Sequence, residues 1–311
     1  MTDPLSYSPE EIGKILKISK GTVYELIKRG DIPSYRVGKK IRISQTDLQA
    51  YMHAGEPKVK PANSNIQVAL EKLVIENQGL IICGQDIVLD VLTRYLEKRN
   101  PSLRSLRSYV GSIDGLLALY RGTASITAAH LWDGETGEYN IPYVRRLLPG
   151  QRTVIINLVY RTQGFYVAPG NPKCIKDWSD LVKPNVTFIN RDKGSGVRVL
   201  LDENLRNLNL DARSIKGYDV EEMSHIAVAS AVARGIADVG VGAEKGALQV
   251  PGVEFIPLIK ERYDLVFYKN DLEKTNFQTV LSILRSDDFK DEVKGMGGYD
   301  TSKMGEIVGE L

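Results

Sequence analysis

A glycine–serine–glycine step followed by an arginine, Gly194-Ser195-Gly196-Val197-Arg198, stands between an apolar run and a helical stretch. That pattern suits the binding of an anion. Glycines let backbone N–H groups turn toward a ligand, and a helix start adds the positive end of its dipole. Ser195 can donate a hydroxyl, and Arg198 or Arg191 supplies full charge. The bland reading of the same residues is a glycine-rich helix start capped by serine. A second helix start of the same kind, Gly111-Ser112, favours the anion reading, because two such starts can converge on one cleft. Thr127 and His130 sit where a third strand should end, and Ser224 and His225 near a later helix start. A lone histidine is as often a packed or capping residue as a ligand, and Tyr160 and Tyr218 are as compatible with core as with pocket. Asp86, in Gln85-Asp86 after the first strand, runs against the simplest anion reading. It either caps the following helix or accepts from a donor group on the ligand.

An enzyme needs a nucleophile–base pair, a carboxylate pair or a metal site. The chain has three histidines and two isolated cysteines, Cys83 and Cys174, which offer no triad, zinc spacing or disulfide framework. GSGVR lacks the spacing and lysine of a nucleotide-hydrolase phosphate loop. No cofactor is expected, and catalysis is not.

The elements that must position these residues begin at Leu80. Apolar runs alternate with amphipathic helices: strands Leu80–Gly84, Leu106–Val110 and Ala124–Ala129, with helices Ile87–Lys98 and Ile113–Tyr120 between them. This β-α-β order gives a parallel sheet covered by helices. Thr153–Tyr160 and Gly164–Ala168 are expected to cross to a second lobe built on Val186–Asn190 and on helices at about 197–208 and 221–234. Strands 237–241, 253–257 and 263–268 return the chain, and a helix over 276–284 covers the surface. Ligands in open α/β sheets bind at the C-terminal ends of the strands. The fold class is therefore α/β, with the cleft between two lobes.

The first fifty residues read differently. Ser8-Pro9-Glu10-Glu11 is a helix start with a capping box, followed by Ile12, Ile15 and Leu16 on one face. A second helix starts at Ser19, buries Val23, Leu26 and Ile27, and stops at Gly30. Tyr35–Ile43 alternates around a glycine turn as a hairpin, and a third helix runs from Ser44 to about Met52. Residues 1–60 hold 11 Lys/Arg and 7 Asp/Glu, a surplus of +4 in a chain of net +2, so the remainder carries −2. AGEPKVKPANSN then reads as a linker, giving domains 1–54 and 66–311 around a linker 55–65. A helix over 66–77 could join the domains or pair two subunits.

Over its whole length the first segment, SPEEIGKILKISKGTVYELIKRGDIPSYRVGKKIRISQTDLQAYM, resembles the excisionase-type, MerR-like helix-turn-helix family. That resemblance implies a winged helix-turn-helix reading double-stranded operator DNA. Lys20, Thr22, Tyr24 and Glu25 would lie on the recognition face, with Lys28 in the same basic surface. Arg36, Lys39, Lys40 and Arg42 would be wing residues near phosphates. A small three-helix module for protein contacts is the alternative.

Residues 80 to about 290 resemble the type II periplasmic-binding-protein fold, notably its molybdate- and tungstate-binding-like cytoplasmic versions. GSIDGL with RGTA, NRDKGSGVR and AVARGIADVG carry the likeness. Together the two resemblances imply a one-component transcriptional regulator, usually a homodimer, sensing a small oxyanion with molybdate or tungstate first. The implied ligand residues are Asp86, Ser112, Thr127, Arg191, Ser195, Gly196, Arg198, Ser224 and His225, with no metal. A sensor of an amino acid or carboxylate, and an enzyme with an appended DNA-binding module, remain alternatives. The N-terminus lacks a signal peptide's basic patch and apolar core, and no apolar run nears the roughly 18 residues of a membrane span. The expectation is a cytoplasmic protein.

Overall fold

The computed structural model describes residues 6–38, 40–45, 47, 48, 51 and 79–311. The chain divides into two compact units, Met1–Ile66 and Gln67–Leu311. The expected linker and the helix over 66–77 lie outside the described residues.

In the first unit, α1 (Pro9–Leu16) opens on the predicted capping box: Ser8 accepts from the Glu11 amide, and the Glu11 carboxylate accepts from the Ser8 amide at 2.7 Å. Helix α2 (Lys20–Arg29) has Ser19 as N-cap and ends on Gly30 at φ 82°, a left-handed conformation that glycine adopts without strain. Strands β1 (Ser6–Tyr7), β2 (Tyr35–Val37) and β3 (Lys40–Ser44) form a small antiparallel sheet in the order β1-β3-β2. Ile12, Val23, Leu26, Ile32, Ile43 and Leu48 make one core beneath helices and sheet. Of the third helix only residues 45, 47, 48 and 51 are described, all helical.

The second unit is one nine-stranded mixed sheet. Strands β4 (Gly79–Cys83), β5 (Arg104–Ser108) and β6 (Ile126–Ala129) pair in parallel, with β4 central. Helices α3 (Val88–Arg99) and α4 (Ser112–Tyr120) connect them, and α5 (Ile141–Leu147) follows β6. Strand β7 (Thr153–Val167) then runs for 15 residues. Beyond it come β8 (Phe188–Arg191), α6 (Gly196–Asn207), β9 (Glu221–Glu222), α7 (His225–Ala233), β10 (Val239–Ala243) and α8 (Glu244–Gln249). The 15-residue β11 (Glu254–Tyr268) returns antiparallel along the whole of β7. Helices α9 (Thr275–Arg285) and α10 (Asp287–Gly295) and strand β12 (Ile307–Glu310) complete the chain.

Two expectations are altered. The pairs of short strands expected at 153–168 and 253–268 are single long strands. The charged residues that read as breaks are paired across the ladder: Glu261 faces Arg161, and Lys260 faces Thr162. Helix α7 starts at His225 and not at Glu221, because Ser224 caps it by accepting from the Ala227 amide at 3.1 Å, while Glu221 and Glu222 pair with β8.

The long strands divide the sheet into lobes. Beside the first half of β7 and the second half of β11 packs the core of Leu80, Ile82, Leu92, Phe267 and Phe289, with their neighbours. Beside the far halves pack two smaller cores, one around Phe165, Phe188 and Val241 and one around Tyr166 and Val228. All lobe crossings therefore pass through residues near 160–163 and 260–263. In the first lobe, α4 lies so close to β6 that a Cβ on Gly115 would sit 2.1 Å from Thr127 Oγ1. Thr127 is fully buried there, and its hydroxyl has no hydrogen-bond partner. Gly115→Ala is expected to destabilise the second unit by about 1–3 kcal/mol through overpacking. Adding Thr127→Ala should restore most of that loss, as read from urea unfolding of the full chain.

Candidate functional site

Between the lobes lies a small cleft that opens toward solvent; with the solvent at its mouth included, its atom-free space is about 300 Å³. Its walls are polar and come from both sides. Gly84, Gln85, Asp86, Ser112 and His130 belong to the first lobe, Arg191, Ser195, Gly196 and His225 to the second, and Arg161 and Tyr263 to the crossing strands.

Arg161 is the centre of its charge structure. The guanidinium is 5% exposed, is bonded by Nε to Glu261 and by Nη1 to Asp86, and lies 4.3 Å over the Tyr263 ring. Glu261 also accepts from Gln163 at 2.6 Å and pairs with His130 Nδ1 at 2.9 Å. Burial pushes the Glu261 carboxyl up, but Arg161, His130 and Gln163 outweigh it and hold it down at about 2. Burial alone would lower the Arg161 pKa, and Glu261 and Asp86 more than reverse that. Asp86 accepts from the Val88 amide at 2.9 Å and the Tyr299 hydroxyl at 2.7 Å as well as from Arg161. Asp86, just before the N-cap Ile87, thus accepts from the first amide of α3 and pairs with Arg161.

Arg191 is the second buried cation. Its Nε donates to the Glu222 carbonyl at 3.0 Å, and its Nη2 donates to Gln85 at 2.6 Å and to Asp192 at 2.8 Å. Nη2 of Arg161 and Nη1 of Arg191 have no hydrogen-bond partner among the described residues, and both arginines line the cavity.

The two predicted helix starts do meet. The Ile113 amide donates to the Gly194 carbonyl at 3.0 Å, and a Cβ on Gly111 would lie 2.9 Å from that oxygen. A Cβ on Gly196 would strike His130 at 2.6 Å, so glycine is what permits the lobes to close this far. The Ser112 and Gly196 amides have no partner among the described residues, and Ser112 Oγ accepts from the His130 amide at 3.3 Å, leaving its own proton free. Ser195 differs: its hydroxyl donates to the Asp192 carbonyl at 2.8 Å and accepts from the Arg198 amide at 3.3 Å. It caps α6 and has no proton to spare.

The histidines are neutral and their tautomers are fixed. Burial lowers the pKa of both, that of His225 furthest, with Arg191 and Arg161 adding to it. Because Glu261 stays ionised, His130 carries its proton on Nδ1. His225 Nδ1 accepts the Ala243 amide at 3.2 Å, so its proton sits on Nε2 as a donor.

Of the remaining sequence candidates, Thr127 is packed on Gly115 outside the cavity walls. Arg198 also lies outside them, stacked 4.1 Å over Tyr218 and paired with Asp202 and Glu221. Ser224 lines a neighbouring chamber. Sequence reasoning did not reach Arg161, Gln163, Glu261 or Tyr299. Arg161 and Glu261 lie 100 residues apart, and the one signal was a charge interrupting each of two apolar strands.

In the first unit, Lys20, Thr22, Tyr24, Glu25 and Lys28 are all exposed on α2, and Arg36 and Lys40 on the wing. Lys20 pairs with Glu10 at 3.1 Å, half-buried Arg42 lies 3.8 Å from Glu11, and Thr22 shares a hydrogen bond with Ser19. Lys39 lies outside the described residues. A groove lined by Lys20, Tyr24, Arg36, Lys40 and Arg42, and also by Glu10 and Glu11, runs between the start of α1, α2 and the wing.

Residues 6–55 match the family described as a helix-turn-helix domain, and residues 93–285 match the PBP superfamily domain. The uncharacterized protein YvgK of Bacillus subtilis (strain 168) is 41% identical over 315 residues, covering 99% of each chain. Among solved structures, a phosphate-bound transporter-type substrate-binding protein from Clostridium perfringens superposes with a TM-score of 0.53 at 14% identity, over 71% of this chain and 98% of that one. The regulatory domain of CcmR from Synechocystis PCC6803, in complex with 2-PG, gives a TM-score of 0.50 at 14% identity, over 66% of this chain and 94% of that one. Both solved structures share the fold of the second unit. The chain, in which a helix-turn-helix domain precedes a binding-protein domain, belongs to the PBP superfamily and, along its full length, to the family of YvgK.

Proposed function

We propose that this chain is a one-component transcriptional regulator whose effector is a small oxyanion, molybdate or tungstate first among inorganic ions. The observation that carries the reading is the pair of buried arginines, Arg161 and Arg191, each with one unpartnered Nη group in the same small cavity. The Ser112 hydroxyl, the Ser112 and Gly196 amides and the Nε2–H of His225 add donors from both lobes. Asp86 is already engaged, so little acceptor capacity faces a ligand. Such a wall suits an oxyanion that carries no proton at neutral pH, as molybdate, tungstate and sulfate do and phosphate does not. It also removes the feature that favoured an amine-bearing metabolite.

Closure supplies the switch. The Ile113–Gly194 and Arg191–Gln85 hydrogen bonds already join the lobes, and an anion held by donors from both adds to the closed state's stability. In this reading two copies meet the half-sites of an operator in the cytoplasm, and effector binding changes how they meet. The domain boundaries 1–54 and 66–311 and the DNA-contacting residues on α2 and the wing belong to the same proposal.

Calorimetric titration of the full chain should show heat with molybdate or tungstate, and the absence of heat with these, sulfate and phosphate would sink the oxyanion reading. Arg191→Lys keeps charge but loses the fork, and should weaken binding by at least tenfold, about the worth of one charge-assisted hydrogen bond. Arg198→Ala should leave affinity within about threefold, because its head group is spent on Asp202 and Glu221.

Proton linkage gives a second test. Two cations face three carboxylates at the cavity (Asp86, Glu261 and Asp192), so an added anion needs further compensation. In the free protein His225 titrates well below the ordinary imidazole value of 6.5. A bound anion opposes the arginine repulsion and raises it, so binding should take up protons and tighten as pH is lowered. Stability of the free protein moves the other way. Below about 6.5 the unfolded chain binds more protons than the folded one, so the ligand-free melting temperature should drop. Affinity unchanged as pH is lowered, measured in buffers of different ionisation heat, would count against His225 facing the ligand. For the first unit, Arg36→Ala with Lys40→Ala should lower the slope of log affinity against log salt by about 1 per lost phosphate contact. An unchanged slope would remove the wing from the interface.

A further inference from the structure

Beside the anion cavity is a second, roomier chamber, also open to solvent, with about 580 Å³ of atom-free space when the solvent at its mouth is included. The two share Gln85, Asp86 and His225 as a common wall. Unlike the cavity, the chamber carries apolar surface at its mouth. Ile87 stands at the start of α3 in the first lobe and is 44% exposed; Ile226 stands in the first turn of α7 in the second lobe and is 49% exposed. An isoleucine side chain stays in contact with water only where nothing covers it, and here one from each lobe flanks the same opening. Deeper in, half-buried Lys245 donates to the Met296 carbonyl and lies 5.9 Å from the Tyr299 ring, with no carboxylate partner among the described residues. The chamber therefore offers apolar contact from both lobes and one cation without a counter-ion, continuous with a cavity built for an acidic head.

We propose that cavity and chamber together hold one organic anion. Its acidic head sits on Arg161 and Arg191, its body lies between Ile87 and Ile226, and an acceptor or second acidic group reaches Lys245. This rests on the anion reading of the cavity and narrows it: an inorganic oxyanion fills the head subsite alone. An organic body also gives the lobes more to close upon, because each contributes one of the isoleucines.

The test uses the full-length protein titrated with molybdate, methanesulfonate, butanesulfonate and 4-sulfobutanoate. Sulfonates are chosen because the head stays fully deprotonated across the range, so only the body varies. Each methylene that leaves water should tighten binding by up to about fourfold, so butanesulfonate should bind at least tenfold better than methanesulfonate. Ile226→Trp, which fills the mouth from a half-exposed position, should cancel that gain and leave molybdate unaffected. Lys245→Met should weaken 4-sulfobutanoate about tenfold and leave butanesulfonate unchanged. Molybdate binding accompanied by a flat or silent sulfonate series overturns this inference and spares the anion reading. Silence from molybdate and every sulfonate overturns both.

Discussion

The second unit is organised around a buried ion pair at the crossing strands. Arg161 on β7 and Glu261 on β11 face each other in the ladder at the point where the sheet passes from one lobe to the other. Asp86, arriving from the end of β4, takes the second arm of the guanidinium. Removing one member of such a group leaves an uncompensated charge in a dry place, at a cost on the order of 3–5 kcal/mol. Keeping it ties three segments of chain to one point. That point is also the floor of the cavity, so the hinge, the closure of the lobes and the charge seen by a ligand depend on the same contact.

The charge balance there shapes what the cavity can hold. A guanidinium with two carboxylates and no further donors would repel an anion. Here Gln163, His130, Tyr299 and the Val88 amide also bond the carboxylates, so that Asp86 and Glu261 each accept three hydrogen bonds. Among the described residues, the wall groups still free include donors on Arg161, Arg191, Ser112 and Gly196, while the Gln163 Oε1 acceptor is buried without a partner. Two histidines complete the wall, and burial together with the arginines opposes the charging of both.

How much of this was legible in the sequence depended on the range of the interactions. Local signals carried the helix-turn-helix: Ser8 with Glu11, Ser19 and Gly30 mark helix ends through bonds three residues long. The alternation of strands and helices in the lobes was equally plain, and so were the helix starts at Gly111 and Ser195. Lost were features that depend on partners far along the chain. Residues 161–163 and 260–262 fell outside the expected strands, since nothing local shows that Arg161 has a partner 100 positions away. Asp86 looked out of place for the same reason. Arg198 was read as a ligand residue because it follows the glycine loop, yet its side chain leaves the cavity to stack on Tyr218.

The central claim is that an anion sits between Arg161 and Arg191 with a donor from each lobe beside it. Crystals of the full chain grown with tungstate and measured at the tungsten absorption edge test it most directly. The account predicts a strong anomalous peak within hydrogen-bond reach of both guanidinium groups and the Ser112 hydroxyl. A well-ordered crystal with no peak in the cleft, or with tungsten bound only on the surface, would contradict it.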